Sequence, residues 1–188
     1  MSPFHARRFT VLPLSPPGST RLPLPYALTA HDDDGGDEPP AVLARVDLEE
    51  TVAWERPRLT RIERGRDFYA GDEHGRALVR VGDEDGRLHP DVELHLGAPF
   101  VAHELRGEPN PLRALVRTLG PGDVVYVTGR ARMVTDHEAA SLRGAPLIPC
   151  YSGEAGPLHL WDDAAFRQLV AWQALPWYRK LSLMVRNR

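Results

Sequence analysis

The sequence predicts an α+β fold: a small β-rich core, barrel-like or OB-like, with a short helix near residues 111–119 and a C-terminal helix. Three observations lead to this prediction. Short segments in which apolar and polar residues alternate recur between residues 41 and 161. Glycine and aspartate turns separate many of these segments. Helical spacing of apolar residues is confined to a few segments and does not alternate regularly with strands, which argues against a parallel α/β sheet.

Composition limits the classes of function. The 188 residues suit one domain with surplus at the ends, and the net charge of −3 makes general nucleic-acid binding unlikely. The single cysteine, Cys150, excludes an internal disulfide and a multi-cysteine zinc site. No run of ~18 apolar residues is present, so we expect no transmembrane helix. These features predict a cytoplasmic protein, with membrane association left open.

The chain divides into three parts by composition. Residues 1–40 contain a proline-rich arm followed by the acidic stretch HDDDGGDEPP, which we interpret as a solvated linker. Residues 41–175 carry the β-like patterns and form the predicted domain. Residues 176–188 form a basic amphipathic tail.

The first half of the domain consists of strands and turns. Residues 41–48 and 58–64 mix branched and charged residues at roughly period two. Residues 67–81 read as a strand, a polar turn between Gly71 and Gly75, and a second strand, which together predict a hairpin. After a second turn, residues 87–96 are predicted to form another strand.

The second half begins with the predicted short helix. Leu112, Leu115, Val116 and Leu119 have helical spacing, with Pro111 at the start and Gly120 just after the end. Further strands are predicted at residues 124–130, 146–152 and 157–161.

The C-terminal segment differs from the strands. Asp162 or Asp163 can cap a helix that begins at Ala164, and Pro176 imposes a break or a kink. Aromatic and basic residues follow, which suit contact with a membrane surface or a protein partner. The predicted contact residues are Trp177, Tyr178, Arg179, Lys180, Leu181, Met184, Val185 and Arg186.

Three segments occur in the order DFYAGDEHGRALVRV, LGPGDVVYVTGRARM and GPLHLWDDAAFRQLVAWQALPWYRKL. Together they resemble the GIDE-type domain, also called the beside-a-membrane (BAM) domain, of mitochondrial-membrane RING ubiquitin ligases and their bacterial relatives. The resemblance covers about residues 55–180 and rests on a hairpin, a glycine-aspartate turn into a VYVTG-like strand, and a final strand and helix. It implies a compact β-rich domain that is held near a membrane and binds a partner there.

The resemblance does not extend to the whole ligase. This chain lacks the two transmembrane helices that flank the domain in the ligases, and one cysteine cannot form a RING finger. Ubiquitin-ligase activity is therefore not implied.

One segment, HPDVELH, is a weak candidate for metal binding. If it forms a single strand, His89, Asp91, Glu93 and His95 share one face. The alternative to metal binding is that these polar residues only form the solvent-exposed face of a half-buried strand. In a straight strand His89 and His95 are ~20 Å apart, because each residue rises ~3.3 Å. They cannot share one ion, but Glu93 and His95 could join a ligand from elsewhere in the chain.

The sequence favours a non-enzymatic binding or scaffold module that engages a protein partner or a membrane surface through its tails and C-terminal helix. No cofactor or catalytic residue is expected. A metal-dependent hydrolase that uses the histidine-carboxylate strand is the first alternative, and an OB-like nucleic-acid binder is the second. Cys150 is expected to be a buried thiol, and Asp136, His137 and Glu138 are expected to lie on a surface loop.

Overall fold

A computed structural model of the chain describes residues 6–13, 41–50, 58–83, 85–97, 101–105, 112–136, 138–139, 145–177 and 179–180. Twelve strands in two sheets and one helix make up the described part, which confirms the predicted β-rich α+β class. The acidic linker and most of the proline-rich arm and basic tail lie outside the described residues.

The larger sheet has eight strands in the order β10-β11-β5-β4-β1-β9-β12-β6. Its strands are β1 (Arg7–Val11), β4 (Phe68–Asp72), β5 (Gly75–Arg80), β6 (Val92–His95), β9 (Val124–Thr128), β10 (Ala131–Thr135), β11 (Leu147–Ser152) and β12 (Leu158–Asp162). The pairs β11–β5 and β12–β6 are parallel, and the other neighbours are antiparallel. The strand order has two ends, at β10 and β6.

The smaller sheet has four antiparallel strands in the order β3-β2-β8-β7. They are β2 (Leu43–Glu50), β3 (Arg58–Gly65), β7 (Val101–Leu105) and β8 (Leu112–Leu119). The main core brings the two sheets together, because Leu43 and Leu119 of the smaller sheet join the buried apolar residues of the larger one. Gly65 lies at this junction, where an added Cβ would come within 2.6 Å of the Leu88 side chain.

The predicted helix at residues 111–119 is wrong, because Leu112–Leu119 forms strand β8. Apolar residues at helical spacing can also fit a strand that is partly buried on both faces, and a short run does not distinguish the two. Here β8 pairs with β2 along its whole length and with β7 on its other side. Ala114 and Val116 are buried with Val46. Tertiary pairing therefore overrides the local helical pattern.

The N-terminal arm contains a strand that the sequence did not predict. Strand β1 lies in the interior of the larger sheet between β4 and β9, with Phe9 and Val11 buried in the main core. The β-rich unit therefore begins before residue 41, and at least Arg7–Val11 of the arm belongs to it.

Other predicted elements are confirmed. Strands β4 and β5 form the hairpin across residues 67–81, and strand β9 covers Val124–Thr128 of the predicted strand 124–130. Helix α1 (Asp163–Ala174) follows β12 directly and ends before Pro176. Its N-cap is Asp162, whose carboxylate accepts a hydrogen bond of 2.7 Å from the Ala165 amide.

Candidate functional site

The candidate site lies at the β6 edge of the larger sheet, where β6 runs parallel to β12. The register places Glu93 beside His159 and His95 beside Trp161. Because successive side chains in a strand point to opposite faces, these four residues share the face that is turned away from the main core. Leu94, Leu158 and Leu160 occupy the opposite face and are buried in that core.

Glu93, His95 and His159 converge on this face, and we call them the histidine-glutamate cluster. The Glu93 Oε2 atom is 3.2 Å from His159 Nδ1 and 3.6 Å from His95 Nε2. The two ring nitrogens are 3.4 Å apart. Three potential metal-ligating atoms from two strands therefore lie within contact distance of one another.

Trp161 supports the two imidazoles of the cluster. Its ring stacks on His95 at a centroid distance of 4.9 Å and on His159 at 5.5 Å. Trp161 itself is buried. Stacking on a buried indole restricts the orientations that both rings can adopt, so the ring nitrogens are held in position by the sheet.

The electrostatic environment favours the neutral form of His95 by lowering its pKa. Burial lowers the pKa of His95, and the neighbouring His159 lowers it further, while Glu93 acts in the opposite direction. A neutral imidazole retains a lone pair on one ring nitrogen, which is the form that hydrogen-bonds as an acceptor or ligates a metal.

Helix α1 packs beside the cluster through its first two turns. Phe166 stacks on Tyr126 with ring centroids 3.8 Å apart and meets Trp161 edge-on at 6.4 Å. The Tyr126 hydroxyl donates a hydrogen bond of 3.2 Å to Asp163. The helix is thus attached to β9 and β12, and the cluster lies next to the attachment on β6 and β12.

The rest of α1 is only partly covered: Leu169, Trp172 and Gln173 are half-buried, and its other residues are exposed. The helix contains no buried residue. Val170 is 46% exposed and Trp177, beyond the helix, is 74% exposed. The Lys180 ammonium donates a hydrogen bond of 3.0 Å to the carbonyl oxygen of Gln173, near the C-terminal end of the helix.

The predicted contact residues are only partly described. Trp177 and Arg179 are exposed, and Lys180 is half-buried. The other predicted contact residues lie outside the described residues: Tyr178, Leu181, Met184, Val185 and Arg186.

The four residues of HPDVELH do not form the single strand face that the sequence predicts. Strand β6 begins only at Val92, because residues 90–91 form a turn in which the Asp91 amide donates to His89 Nδ1. His89 packs against Gly153 instead, where a Cβ would come within 2.5 Å of its ring. Glu93 and His95 do acquire a third neighbour from elsewhere, and that residue is His159.

Sequence reasoning missed His159 although the signal was present. His159 and Trp161 alternate with buried leucines in β12, so both belong to its outer face. What the sequence did not reveal was the parallel pairing of β12 with β6, two strands that are more than sixty residues apart.

Two further residues considered in the sequence analysis, Cys150 and Asp136, have buried side chains. Cys150 is fully buried with Tyr69, Leu78 and Ile148, which confirms the predicted buried thiol. Asp136 was expected on a surface loop, and this is wrong: its side chain is buried and forms an ion pair with Arg76. A buried carboxylate of this kind needs such a partner to offset the loss of hydration.

Comparison with known proteins adds no assignment. A scan against protein-family models, and searches among curated proteins and solved structures, found no match to this chain. Within the described residues, no helix is both long enough and apolar enough to cross a membrane. The resemblance to the GIDE-type domain therefore stays a prediction.

Proposed function

We propose that this protein is a non-enzymatic binding module that engages a protein partner through helix α1 and the residues that follow it. The observation that carries the proposal is the incomplete burial of α1: none of its twelve residues is buried and five are exposed, on a domain whose core is otherwise well formed.

The attachment of α1 leaves its C-terminal half available for binding. The N-cap at Asp162 and the Phe166 stack fasten the first two turns to the sheet. Beyond them, Val170 presents an aliphatic side chain to solvent, and Trp177, three residues after the end of the helix, is exposed. Tryptophan and arginine are enriched among the residues that dominate the binding energy of protein interfaces.

The charge of this end indicates the character of the partner. Arg179 and Lys180 lie two and three residues after Trp177, whereas Glu and Asp are absent from residues 164–188. A protein with an apolar groove bordered by acidic residues would complement this surface. The resemblance to the GIDE-type domain implies a domain with a binding role, which agrees with this proposal.

A pair of surface substitutions tests the proposal. The double variant Val170→Glu/Trp177→Glu places charge at two exposed positions, one on α1 and one just beyond its end, and leaves the Phe166 stack unchanged. Leu59→Glu is the matched control, because Leu59 is 60% exposed and lies on β3 of the other sheet. We expect proteins captured from the native host by the unaltered chain to be lost with the double variant and retained with Leu59→Glu.

Flotation with liposomes that contain anionic lipid distinguishes a protein partner from a membrane surface. The proposal predicts no α1-dependent flotation, and it predicts that a captured protein, once purified, binds directly and with the same dependence on Val170 and Trp177. The proposal would be contradicted if the unaltered chain, the double variant and Leu59→Glu captured the same proteins equally. Flotation that is lost only with the double variant would also contradict it.

A further inference from the structure

We propose that Glu93, His95 and His159 bind one divalent transition-metal ion, with Zn²⁺ as the expected occupant. The proposal rests on the geometry of the histidine-glutamate cluster and is independent of partner binding through α1.

The three ligand atoms already have the spacing of a zinc coordination sphere. Zn–N and Zn–O bonds of about 2.0–2.2 Å in a tetrahedral site place neighbouring ligand atoms about 3.3–3.6 Å apart. The three distances in the cluster are 3.2, 3.4 and 3.6 Å. The nearest point equidistant from the three atoms lies about 2 Å from each, which matches the bond length. The spacing of the three ligand atoms therefore suits such an ion.

The donor set selects the class of ion. Two imidazole nitrogens and one carboxylate oxygen suit zinc and the neighbouring first-row transition metals. Ca²⁺ and Mg²⁺ prefer shells made of oxygen, to which this cluster would contribute one side chain. Zn²⁺ is expected because it accepts three protein ligands of this type in a four-coordinate site.

The fourth coordination position faces solvent. The Glu93 side chain is 63% exposed, whereas those of His95 and His159 are 37% and 21% exposed. Three protein ligands with a solvent-filled fourth position are typical of zinc sites that act on a ligand rather than of closed structural sites. The same arrangement is what the alternative hypothesis of a metal-dependent hydrolase would require.

The sheet holds the ligands in place before an ion binds. Four consecutive register pairs join β6 to β12, and Trp161 packs against both imidazoles. Ligands on paired strands lose little conformational entropy on binding, which favours affinity.

A hydrogen-bonded network without metal is the competing explanation of the same distances. In it, one imidazole N–H donates to the other ring and another to Glu93, so protons occupy the place of the ion. The metal-site explanation predicts that an added ion binds and displaces these protons. The hydrogen-bond explanation predicts that the protons stay and that no ion binds.

Titration of the full-length, tag-free chain with Co²⁺ after treatment with a chelator tests the proposal. Co²⁺ substitutes for Zn²⁺ in such sites, and its visible absorption reports the coordination number. Removal of the tag matters, because oligohistidine binds the same ions. The test variants are Glu93→Gln, His95→Gln and His159→Gln. The controls are His74→Gln, a histidine that is 70% exposed, and Asp91→Asn, an acid just before β6.

The expected result is one Co²⁺ per chain with the spectrum of a four- or five-coordinate ion, displaced by a single equivalent of Zn²⁺. Each test variant should weaken binding by about 100-fold, since even changes to groups around metal ligands typically cost about 10–100-fold. The two controls should bind as the unaltered chain does. Zn²⁺ should also raise the melting temperature of the unaltered chain and of the controls, and not that of the test variants.

Several results would overturn the proposal. They are the absence of saturable binding of one ion by the unaltered chain, binding that survives in Glu93→Gln, or equal loss in His74→Gln. Glu93→Gln is the decisive variant, because Glu93 is exposed and its replacement by an isosteric amide leaves the stacking on Trp161 intact. Thermal melting in the presence of chelator verifies that each variant is folded.

Discussion

Arg117 and Asp162 form a buried ion pair that joins the two sheets. Arg117 lies on β8 of the smaller sheet, and its Nε and Nη2 atoms are 2.9 and 2.7 Å from Asp162 Oδ2, at the end of β12 in the larger sheet. The same carboxylate accepts a hydrogen bond of 3.0 Å from the Gly97 amide and caps α1 through the Ala165 amide. One side chain therefore connects both sheets, the segment after β6 and the start of the helix.

Asp162→Ala is expected to lower the free energy of unfolding by about 3–5 kcal/mol. The change leaves the Arg117 charge buried without this partner, which is the most unfavourable way to break an ion pair. It also removes the helix cap, a loss of about 0.5–2 kcal/mol on its own. Urea denaturation followed by circular dichroism measures the effect. The neighbouring Asp163→Ala is the control, since Asp163 is partly exposed in its pair with Arg167 and should change stability by about 1 kcal/mol or less.

Phe166→Ala should detach α1 without unfolding the sheets. The expected loss of stability is about 1–3 kcal/mol, because Phe166 is half-buried and stacks on Tyr126. Hydrogen exchange should accelerate at the amides of α1 and remain slow in β9 and β12. Val170→Ala, on the exposed side of the helix, should leave exchange unchanged. Acceleration throughout the sheet would show that α1 is part of the cooperative core instead.

Cys150 should be unreactive toward Ellman's reagent in the folded protein at pH 8. The residue is fully buried, and burial raises the pKa of its thiol, so both access and the thiolate fraction are low. In denaturant we expect one thiol per chain to react, because Cys150 is the only cysteine. Rapid stoichiometric labelling before denaturation would indicate that the cluster of Tyr69, Leu78 and Ile148 opens readily.

Asp67 provides a test of pH dependence. Burial raises the pKa of Asp67, against the opposing effect of the hydrogen bonds from the Val81 and Gly82 amides. A raised folded-state pKa means that the folded protein binds the proton more tightly than the unfolded chain does. This carboxyl group therefore favours folding most at low pH, and its contribution is lost as the pH rises through the folded-state value.

Asp67→Asn removes this titration and keeps an oxygen that can accept from the Val81 amide, 2.9 Å away in the unaltered chain. Relative to the unaltered protein, the variant should therefore gain stability as the pH rises from 4 to 7. Urea denaturation at the two pH values measures the difference. A constant difference, or one that grows toward pH 4, would contradict the prediction.

Local chemistry was sufficient to predict several elements from the sequence. The hairpin at residues 67–81 follows from a polar turn between alternating segments, and the start of α1 follows from an aspartate before a helical pattern. The burial of Cys150 follows from its apolar neighbours in β11. Each of these predictions depends on residues that are close together in the chain.

Other features depended on pairing between distant segments. Residues 112–119 became a strand because β2 and β7 flank them. Arg7–Val11 became an interior strand because β4 and β9 leave a place between them. The strands that pair with these two segments cannot be identified from the local sequence pattern. The proline-rich composition around β1 instead favoured an extended arm outside the sheet.

The candidate metal site shows the same division. The sequence by itself determined that Glu93 and His95 share one face of a strand, and that His159 and Trp161 share one face of another, because side chains alternate with period two. Only the tertiary structure decided that these faces meet, through the parallel register that sets Glu93 beside His159. A register of this kind is selected by the burial of Leu94, Leu158 and Leu160 in a common core, and that burial is a property of the whole fold.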